Sequence, residues 1–261
     1  MDKLEKAIEF YKNGMPLLDA WKATGCGRNK LQRTLKERGL MRSPRDNSRK
    51  YTLDESFFET IDTQEKAYWL GFMYADGYVS NTRNDYNVGI ALGIKDKGHL
   101  SRFKEALRAT HPIGEYEGNS YGVGTKYCRF RFTSKTMYTH LVEKGVFENK
   151  SLILKFPSED IVPKHLVHHF IRGYFDGDGS FSYSGKRDDT YAVKIMGTRE
   201  FLTTLAEHID HKPTLHKRHT DTKNSYSLEF MAKDDVRKFG RYIYNGANIY
   251  LFRKYQRYLK V

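Results

Sequence analysis

Cysteine is nearly missing: Cys26 and Cys128 are the only two among 261 residues, and they lie far apart in the chain. That excludes a disulfide framework and any cysteine-based zinc site, and it fits a reducing, intracellular setting. No run of about 18 apolar residues occurs, so a membrane span is not expected. The opening Met-Asp-Lys-Leu-Glu-Lys has none of the apolar character of a secretion signal. No phosphate-cradling glycine loop is present, and Gly177-Asp178-Gly179 closes a helical pattern instead of opening one, so it is no dinucleotide fingerprint. His168-His169 is an isolated pair without zinc spacing and reads as structural. The start lacks a splicing Cys or Ser and the end lacks His-Asn, so an intein is not expected.

Acidic residues are also short of balance. Against 32 Asp and Glu stand 45 Lys and Arg, a net charge of +13. Such an excess points to a polyanionic partner, because lysine and arginine gain by displacing counterions from phosphates. The hydrophobic fraction of 39% still suffices for ordinary cores.

The excess is densest at the start, where residues 1–50 hold 13 Lys and Arg and 6 Asp and Glu. Leu4, Ala7, Ile8 and Tyr11 follow the spacing of one helix face. A second helix is expected over residues 16–23, with Pro16 in its first turn. Gly25-Cys26-Gly27 makes a turn, and a third helix over residues 28–38 buries Leu31 and Leu35 before Gly39 stops it. This pattern resembles a helix-turn-helix, and a small helical hairpin with a solvated basic face would share it. It turns Arg28, Asn29, Lys30, Gln32, Arg33 and Lys36 outward, residue types suited to phosphates and base edges. The polar stretch that follows contains Arg42, Arg45, Arg49 and Lys50 and reads as a linker that tracks phosphates.

The remainder is organised around one repeated stretch. Ala67-Tyr68-Trp69-Leu70-Gly71-Phe72-Met73-Tyr74-Ala75-Asp76-Gly77-Tyr78 is an apolar helix ending in Asp-Gly. It returns as Phe170-Ile171-Arg172-Gly173-Tyr174-Phe175-Asp176-Gly177-Asp178-Gly179, with Gly71 and Gly173, like Asp76 and Asp178, separated by 102 positions. One copy would be a core helix with a glycine cap. In two copies, small residues four apart (Gly71 and Ala75, Gly173 and Gly177) let the helices approach backbone to backbone. Asp76 and Asp178 then become neighbours at two negative helix ends, an arrangement that only a cation makes favourable. Hard oxygen ligands suggest Mg²⁺, and paired carboxylates holding a divalent metal against phosphate suit phosphodiester hydrolysis. Arg172 is expected to face out of the helix pair.

Around the first copy, Leu53 and Phe57-Phe58 suggest a short docking helix, and Asp62 with Glu65 a capping box. Strands are expected over residues 87–94 and 126–132, and helices over 97–109 and 134–143. Around the second copy, which Pro163 can start, strands are expected over 180–184, 191–196 and 226–231, and helices over 199–209 and 234–244. Lys95, Lys126, Arg129, Arg131, Lys186, Arg187, Lys194, His216, Lys217, Arg218 and Lys223 fall in strands or their connections; a half-buried sheet with a basic exposed face can lie along a duplex, and a charged strand face can also simply be solvated.

These motifs resemble the LAGLIDADG homing endonucleases in their single-chain, two-motif form, with Trp69 through Gly77 and Ile171 through Gly179 on the nine motif positions. Gly145 through Ser151 and Gly246 through Lys254 are similar to the family's closing segments. The resemblance, over residues 62–261, implies an α+β fold made of a pseudo-twofold pair of αββαββα repeats. The domains would be 1–42 (helix-turn-helix), 43–61 (linker and docking helix), 62–160 and 161–261. It further implies a monomer that cuts both strands of a long double-stranded DNA site inside the cell across the minor groove, leaving 3′ overhangs. The expected cofactor is Mg²⁺, two or three ions per site, with Mn²⁺ able to substitute and Ca²⁺ supporting binding without cleavage. Metal would be held at Asp76 and Asp178, with Ala75, Gly77, Gly177 and Gly179 beside them. Lys150, Lys254 and Lys194 match the family's basic positions near the scissile phosphates, and the counterpart of Lys194 in the first half is read as Gly93. Intron-borne and free-standing mobile genes both fit. An RNA-binding intron maturase and a cleavage-inactive DNA-binding regulator are the alternatives; intact Asp76 and Asp178 favour the nuclease.

Overall fold

A computed structural model describes residues 2–13, 15–41, 50–118, 124–184, 190–209, 214–217 and 224–261. The chain divides into two compact units, Met1–Leu53 and Asp54–Val261. Among the described residues no helix is long and apolar enough to cross a membrane.

The first unit is three helices: α1 (Lys3–Lys12), α2 (Leu17–Thr24) and α3 (Arg28–Glu37). Ala7, Ile8, Tyr11, Ala20, Cys26, Leu31 and Leu35 form its core. Pro16 stands just outside α2 as its N-cap instead of inside its first turn. Gly25 ends α2 at φ +63, a left-handed conformation that glycine adopts without steric cost. Arg38 grips Glu5 through two hydrogen bonds of 3.0 and 2.7 Å, tying the end of α3 to α1.

The second unit holds two four-stranded antiparallel sheets and their helices. Its first half runs α4 (Gln64–Ala75), β1 (Gly77–Thr82), β2 (Asp85–Gly93), α5 (Lys97–Ala106), β3 (Ile113–Gly118), β4 (Thr125–Thr133) and α6 (Lys135–Glu143). The second runs α7 (Val167–Asp178), β5 (Gly179–Ser184), β6 (Thr190–Gly197), α8 (Arg199–His208), β7 (Thr214–Lys217), β8 (Tyr226–Phe230), α9 (Lys233–Tyr244) and α10 (Phe252–Tyr258). Strand orders are β1-β2-β4-β3 and β5-β6-β8-β7, the same topology twice. This is the LAGLIDADG fold that the repeat suggests.

In each sheet one face is buried. Val88, Ile90, Leu92, Cys128, Phe130 and Phe132 form the first inner face; Phe181, Val193, Ile195, Leu228 and Phe230 form the second. Alternation puts their neighbours on the outer face. α5, α8 and α9 lie on the sheets and supply buried residues such as Leu100, Phe103, Phe201, Leu205 and Phe239.

Several local expectations need correction. The cap of α4 is Thr63, whose hydroxyl accepts from the Lys66 amide at 3.2 Å, while Asp62 pairs with the Lys66 ammonium at 2.9 Å. Phe57 and Phe58 are buried as expected but sit in consecutive turns, not a helix. α5 ends at Ala106 because Arg108 takes a left-handed φ of 47°. Strands β1, β3 and β7 and helix α10 are not among the expected elements, since none has a continuous apolar alternation or stripe.

The motif helices α4 and α7 form the centre of this unit. A Cβ at Gly71 would overlap the Phe170 carbonyl oxygen and lie 2.9 Å from the Tyr174 nitrogen. A Cβ at Gly173 would overlap the Tyr68 carbonyl oxygen and lie 2.9 Å from the Phe72 nitrogen. Phe170 and Tyr174 are the motif equivalents of Tyr68 and Phe72, so the two approaches are one approach repeated about a twofold axis. Only glycine permits backbones this close.

Candidate active site

Close packing at Gly71 and Gly173 carries the two helix ends to one place. Asp76 is the C-cap of α4, and Asp178 is the last residue of α7. A Cβ added at Gly177 would come within 3.3 Å of the Asp76 carboxylate, which fixes α7's last turn against it. The protein around Asp76, together with the Asp178 charge, pushes its pKa up to about 6, although the side chain opens to solvent. Burial also raises Asp178, against the pull of Lys150 and Lys254. The Tyr174 hydroxyl, bonded to the Met196 carbonyl at 2.8 Å, lies against the Asp178 carboxylate as well.

Two buried lysines stand beside the pair. Lys150 donates to the Gly77 carbonyl, and Lys254 donates to the carbonyls of Phe175 at 2.8 Å and Gly177 at 3.0 Å. Burial lowers Lys150 despite both carboxylates, and it lowers Lys254 to about 8. The two halves are therefore similar but not equal: Lys150 reaches the residue after Asp76, Lys254 the residue before Asp178. Arg253 adds positive field at Asp76 and is held by Asp96 at 3.0 Å.

Lys194 sits apart from this group. It lies on the outer face of β6, 2.5 Å from Glu229 across the ladder on β8. Its counterpart is Gly89, not Gly93. Gly77 pairs with Ile90 and Gly179 with Ile195, so Ile90 corresponds to Ile195 and Gly89 to Lys194. The register is set by the partner strand β1, which places the counterpart four residues before Gly93.

The remaining residues read as metal-site or DNA-facing divide clearly. Ala75 ends α4, and its methyl backs Gly177; Gly179 opens β5 opposite Ile195. Arg28, Asn29, Lys30, Gln32, Arg33 and Lys36 are all on α3, and none of them joins the buried core of its unit. Arg129 and Arg131 share the outer face of β4. Lys126 falls on the inner side of that strand opposite Glu117, and Lys217 on the Leu215 side of β7. Lys95 lies in a short 3-10 turn (Ile94–Asp96), and Lys50 packs over the Tyr51 ring. Arg42, Arg45, Arg49, Lys186, Arg187, Arg218 and Lys223 lie outside the described residues.

Asp176 and Arg172 are structural features whose partners the motif could not reveal. Asp176 is fully buried and accepts from the Leu251 amide at 2.6 Å, the Tyr68 hydroxyl at 2.7 Å and the Tyr244 hydroxyl at 3.2 Å. It thereby staples the start of α10, and with it Lys254, to the motif helices. Tyr74, its equivalent in α4, donates instead to the Lys144 carbonyl near the first closing segment. Arg172 does not face out: it is fully buried and donates to the carbonyls of Ile249 at 2.8 Å and Ile243 at 2.9 Å. Asp176→Ala should destabilise this unit by about 3 kcal/mol, because it strands three buried donors. Chemical denaturation checks this; a loss below about 1 kcal/mol would show that the staple contributes little.

The donor set fits a hard divalent cation. Asp76 and Asp178 are raised because the nearby lysines do not fully offset the cost of burial, and the carbonyls of Gly77 and Gly177, one residue along the chain from them, accept from those lysines. Among the described residues no group of three or more His, Cys, Asp or Glu is placed to hold a metal ion. The protein ligands would be two carboxylates with main-chain oxygen nearby, leaving positions for water and phosphate, as Mg²⁺ prefers.

That fit has a pH signature. A carboxyl whose folded pKa lies above its ordinary value makes metal-free folding less favourable as pH rises from about 4 to 6. Added Mg²⁺ should cancel this loss above pH 6 and do little below, where the proton competes with it. Thermal unfolding across pH 4.5–7.5, with and without Mg²⁺, checks the sign; equal Mg²⁺ stabilisation at both ends would remove the carboxylate pair from the binding site.

Residues 166–244 match the family model described as LAGLIDADG-like domain. No curated protein matches this chain. Among solved structures, one described as the homing endonuclease I-WcaI bound to its DNA recognition sequence is similar, with 13% identity and a TM-score of 0.56. The likeness covers 77% of this chain and 91% of that one. The meganuclease I-SmaMI bound to uncleavable DNA with a TTGT central four is also similar, with 13% identity, 74% and 87% coverage and a TM-score of 0.52. At such identities the likeness is one of fold.

Proposed function

We propose that this chain is a site-specific DNA endonuclease that hydrolyses both strands of a long duplex site, one strand per half. The observation that carries this reading is the pair Asp76 and Asp178, brought together by the backbone approach of α4 and α7 and flanked by Lys150 and Lys254. The DNA-bound state of the similarly folded I-WcaI and I-SmaMI supports the choice of duplex DNA as substrate.

Asp76 and Asp178 would hold Mg²⁺, which when bound lowers the pKa of water and stabilises charge on phosphate oxygens. Lys150 and Lys254 place a positive charge beside each scissile phosphate, and their carbonyl partners fix where each ammonium points. In each strand a water oxygen bonds to phosphorus, the opposite P–O ester bond breaks, and the departing oxygen takes a proton. Lys254, lowered to about 8, can hold or give up a proton at Nζ near neutral pH. Cuts made on either side of one minor groove leave 3′ overhangs.

The three-helix unit fits a helix-turn-helix that lengthens the site through α3. Removing residues 1–53 should weaken DNA binding and reduce the slope of log K against log salt by about 0.9 for each phosphate that the unit had neutralised. An unchanged slope would take α3 off the DNA.

Selection from random duplex DNA and from a structured RNA pool, both in Ca²⁺, tests the substrate class. Enrichment of one long duplex site supports the endonuclease. Enrichment confined to RNA would replace it with the maturase reading.

A further inference from the structure

The two sheets repeat each other in topology but not in chemistry. On the outer face of the first, Arg129 and Arg131 stand two residues apart on β4. Each faces a glycine across the ladder: Arg129 pairs with Gly114 and Arg131 with Gly89. A tyrosine ring lies over each glycine. A Cβ at Gly114 would stand 2.5 Å from the Tyr116 hydroxyl, and one at Gly89 2.6 Å from that of Tyr78. The Arg129 guanidinium is 4.6 Å from the centre of the Tyr116 ring, which in turn stacks on Tyr127 at 5.3 Å. The strand acids Glu115 and Glu117 point to the opposite face, where Lys97 pairs with Glu115.

The same positions in the second sheet are different. By register Arg131 corresponds to Glu229, Arg129 to Ser227, Gly89 to Lys194, Tyr78 to Ser180 and Gly114 to His216. Lys194 and Glu229 neutralise each other at 2.5 Å. An arginine held on a tyrosine ring with a second arginine two residues along the first sheet thus contrasts, at the same positions of the second, with a closed ion pair and a buried serine whose hydroxyl donates to Glu229 at 2.7 Å.

We propose that the DNA target is read unequally, with the half under the first sheet fixed by guanines that Arg129 and Arg131 recognise in the major groove. This rests on the endonuclease reading and adds which base, which half and which residues. An arginine presents two parallel donors that match guanine O6 and N7. Arg129, held against the Tyr116 ring, loses less conformational freedom on binding than a free side chain. On the second sheet a base edge must compete with Glu229 for Lys194, and at the place of Arg129 stands Ser227, buried and already donating to Glu229.

The test is duplex selection with the full chain, comparing parent with Arg129→Ala, Tyr116→Leu and His216→Ala. All three replace side chains that are not buried, and circular dichroism checks their folding. The parent site should contain guanines concentrated in one half. Arg129→Ala should erase one of them and weaken binding to the parent site about 10- to 100-fold. Tyr116→Leu should relax the same position, and His216→Ala should change affinity by less than about threefold. A parent site with its information spread evenly over both halves, or an unchanged guanine preference in Arg129→Ala, overturns this inference and leaves the endonuclease standing. Failure of the parent to select any duplex overturns both.

Discussion

Asp178→Asn should abolish double-strand cleavage while leaving DNA binding within a few-fold of the parent, and Asp76→Asn should do the same. The amide keeps the size of the carboxyl group but removes the charge that a divalent cation needs at the meeting point of α4 and α7. A metal contribution of several kcal/mol to the transition state corresponds to a rate loss of about three decades or more. Binding is preserved because the affinity of such a basic chain comes mainly from phosphates held elsewhere on its surface. The substitution should also stabilise the metal-free fold, since each carboxylate is raised by burial and Asp76 by Asp178 as well. Cleavage and binding on the selected site, with unfolding in the absence of metal, measure all three. Parental cleavage rates in either variant would place the chemistry elsewhere.

The second large effect is on folding. Gly173→Ala puts a methyl group onto the Tyr68 carbonyl oxygen, and Gly71→Ala does so onto that of Phe170. Both obstacles are backbone, so no side chain can rotate away. The helices must separate, and the core around Tyr68, Phe72, Phe170 and Tyr174 must open with them. Each change should cost about 3 kcal/mol or more, which in a unit of this size lowers Tm by roughly 10 °C. Separation would also part Asp76 from Asp178, so cleavage should fall more than binding does. Gly98→Ala is the control: this glycine lies within α5, and a Cβ there meets nothing within 4 Å. It should stabilise by about 0.5–1 kcal/mol, the ordinary helix preference for alanine. Equal melting of Gly173→Ala and parent would contradict the close backbone approach.

The features legible in the sequence were those that repeat or alternate. Two glycine-bearing helices ending in Asp-Gly, 102 positions apart, gave the helix pair and the two carboxylates. The inner faces of β2 and β4 followed from Val88, Ile90 and Leu92 and from Cys128, Phe130 and Phe132. Lys150 and Lys254 stand in family-like closing segments, and nothing local marks a buried lysine whose ammonium is held by carbonyls in another part of the chain. What stayed hidden depends on pairing between distant segments. The Gly89 register needed β1 as a ruler, and β1 is a short Gly-Tyr-Val-Ser-Asn-Thr strand that shows little alternation. Arg172 looked exposed because a charged residue inside a helix usually is; the carbonyls of Ile243 and Ile249 that bury it lie more than 70 positions away. Nothing local marks Asp176 either, because its partners Leu251, Tyr68 and Tyr244 come from distant segments.

The most direct measurement is incubation of the full chain with a random duplex DNA library in Mg²⁺ and, separately, in Ca²⁺, followed by sequencing of the new ends. The expected result is Mg²⁺-dependent cutting of both strands within one long sequence, with 3′ overhangs, and binding without cutting in Ca²⁺. Tight duplex binding with no new ends in Mg²⁺ or Mn²⁺ would contradict the assignment of Asp76 and Asp178 to phosphodiester hydrolysis.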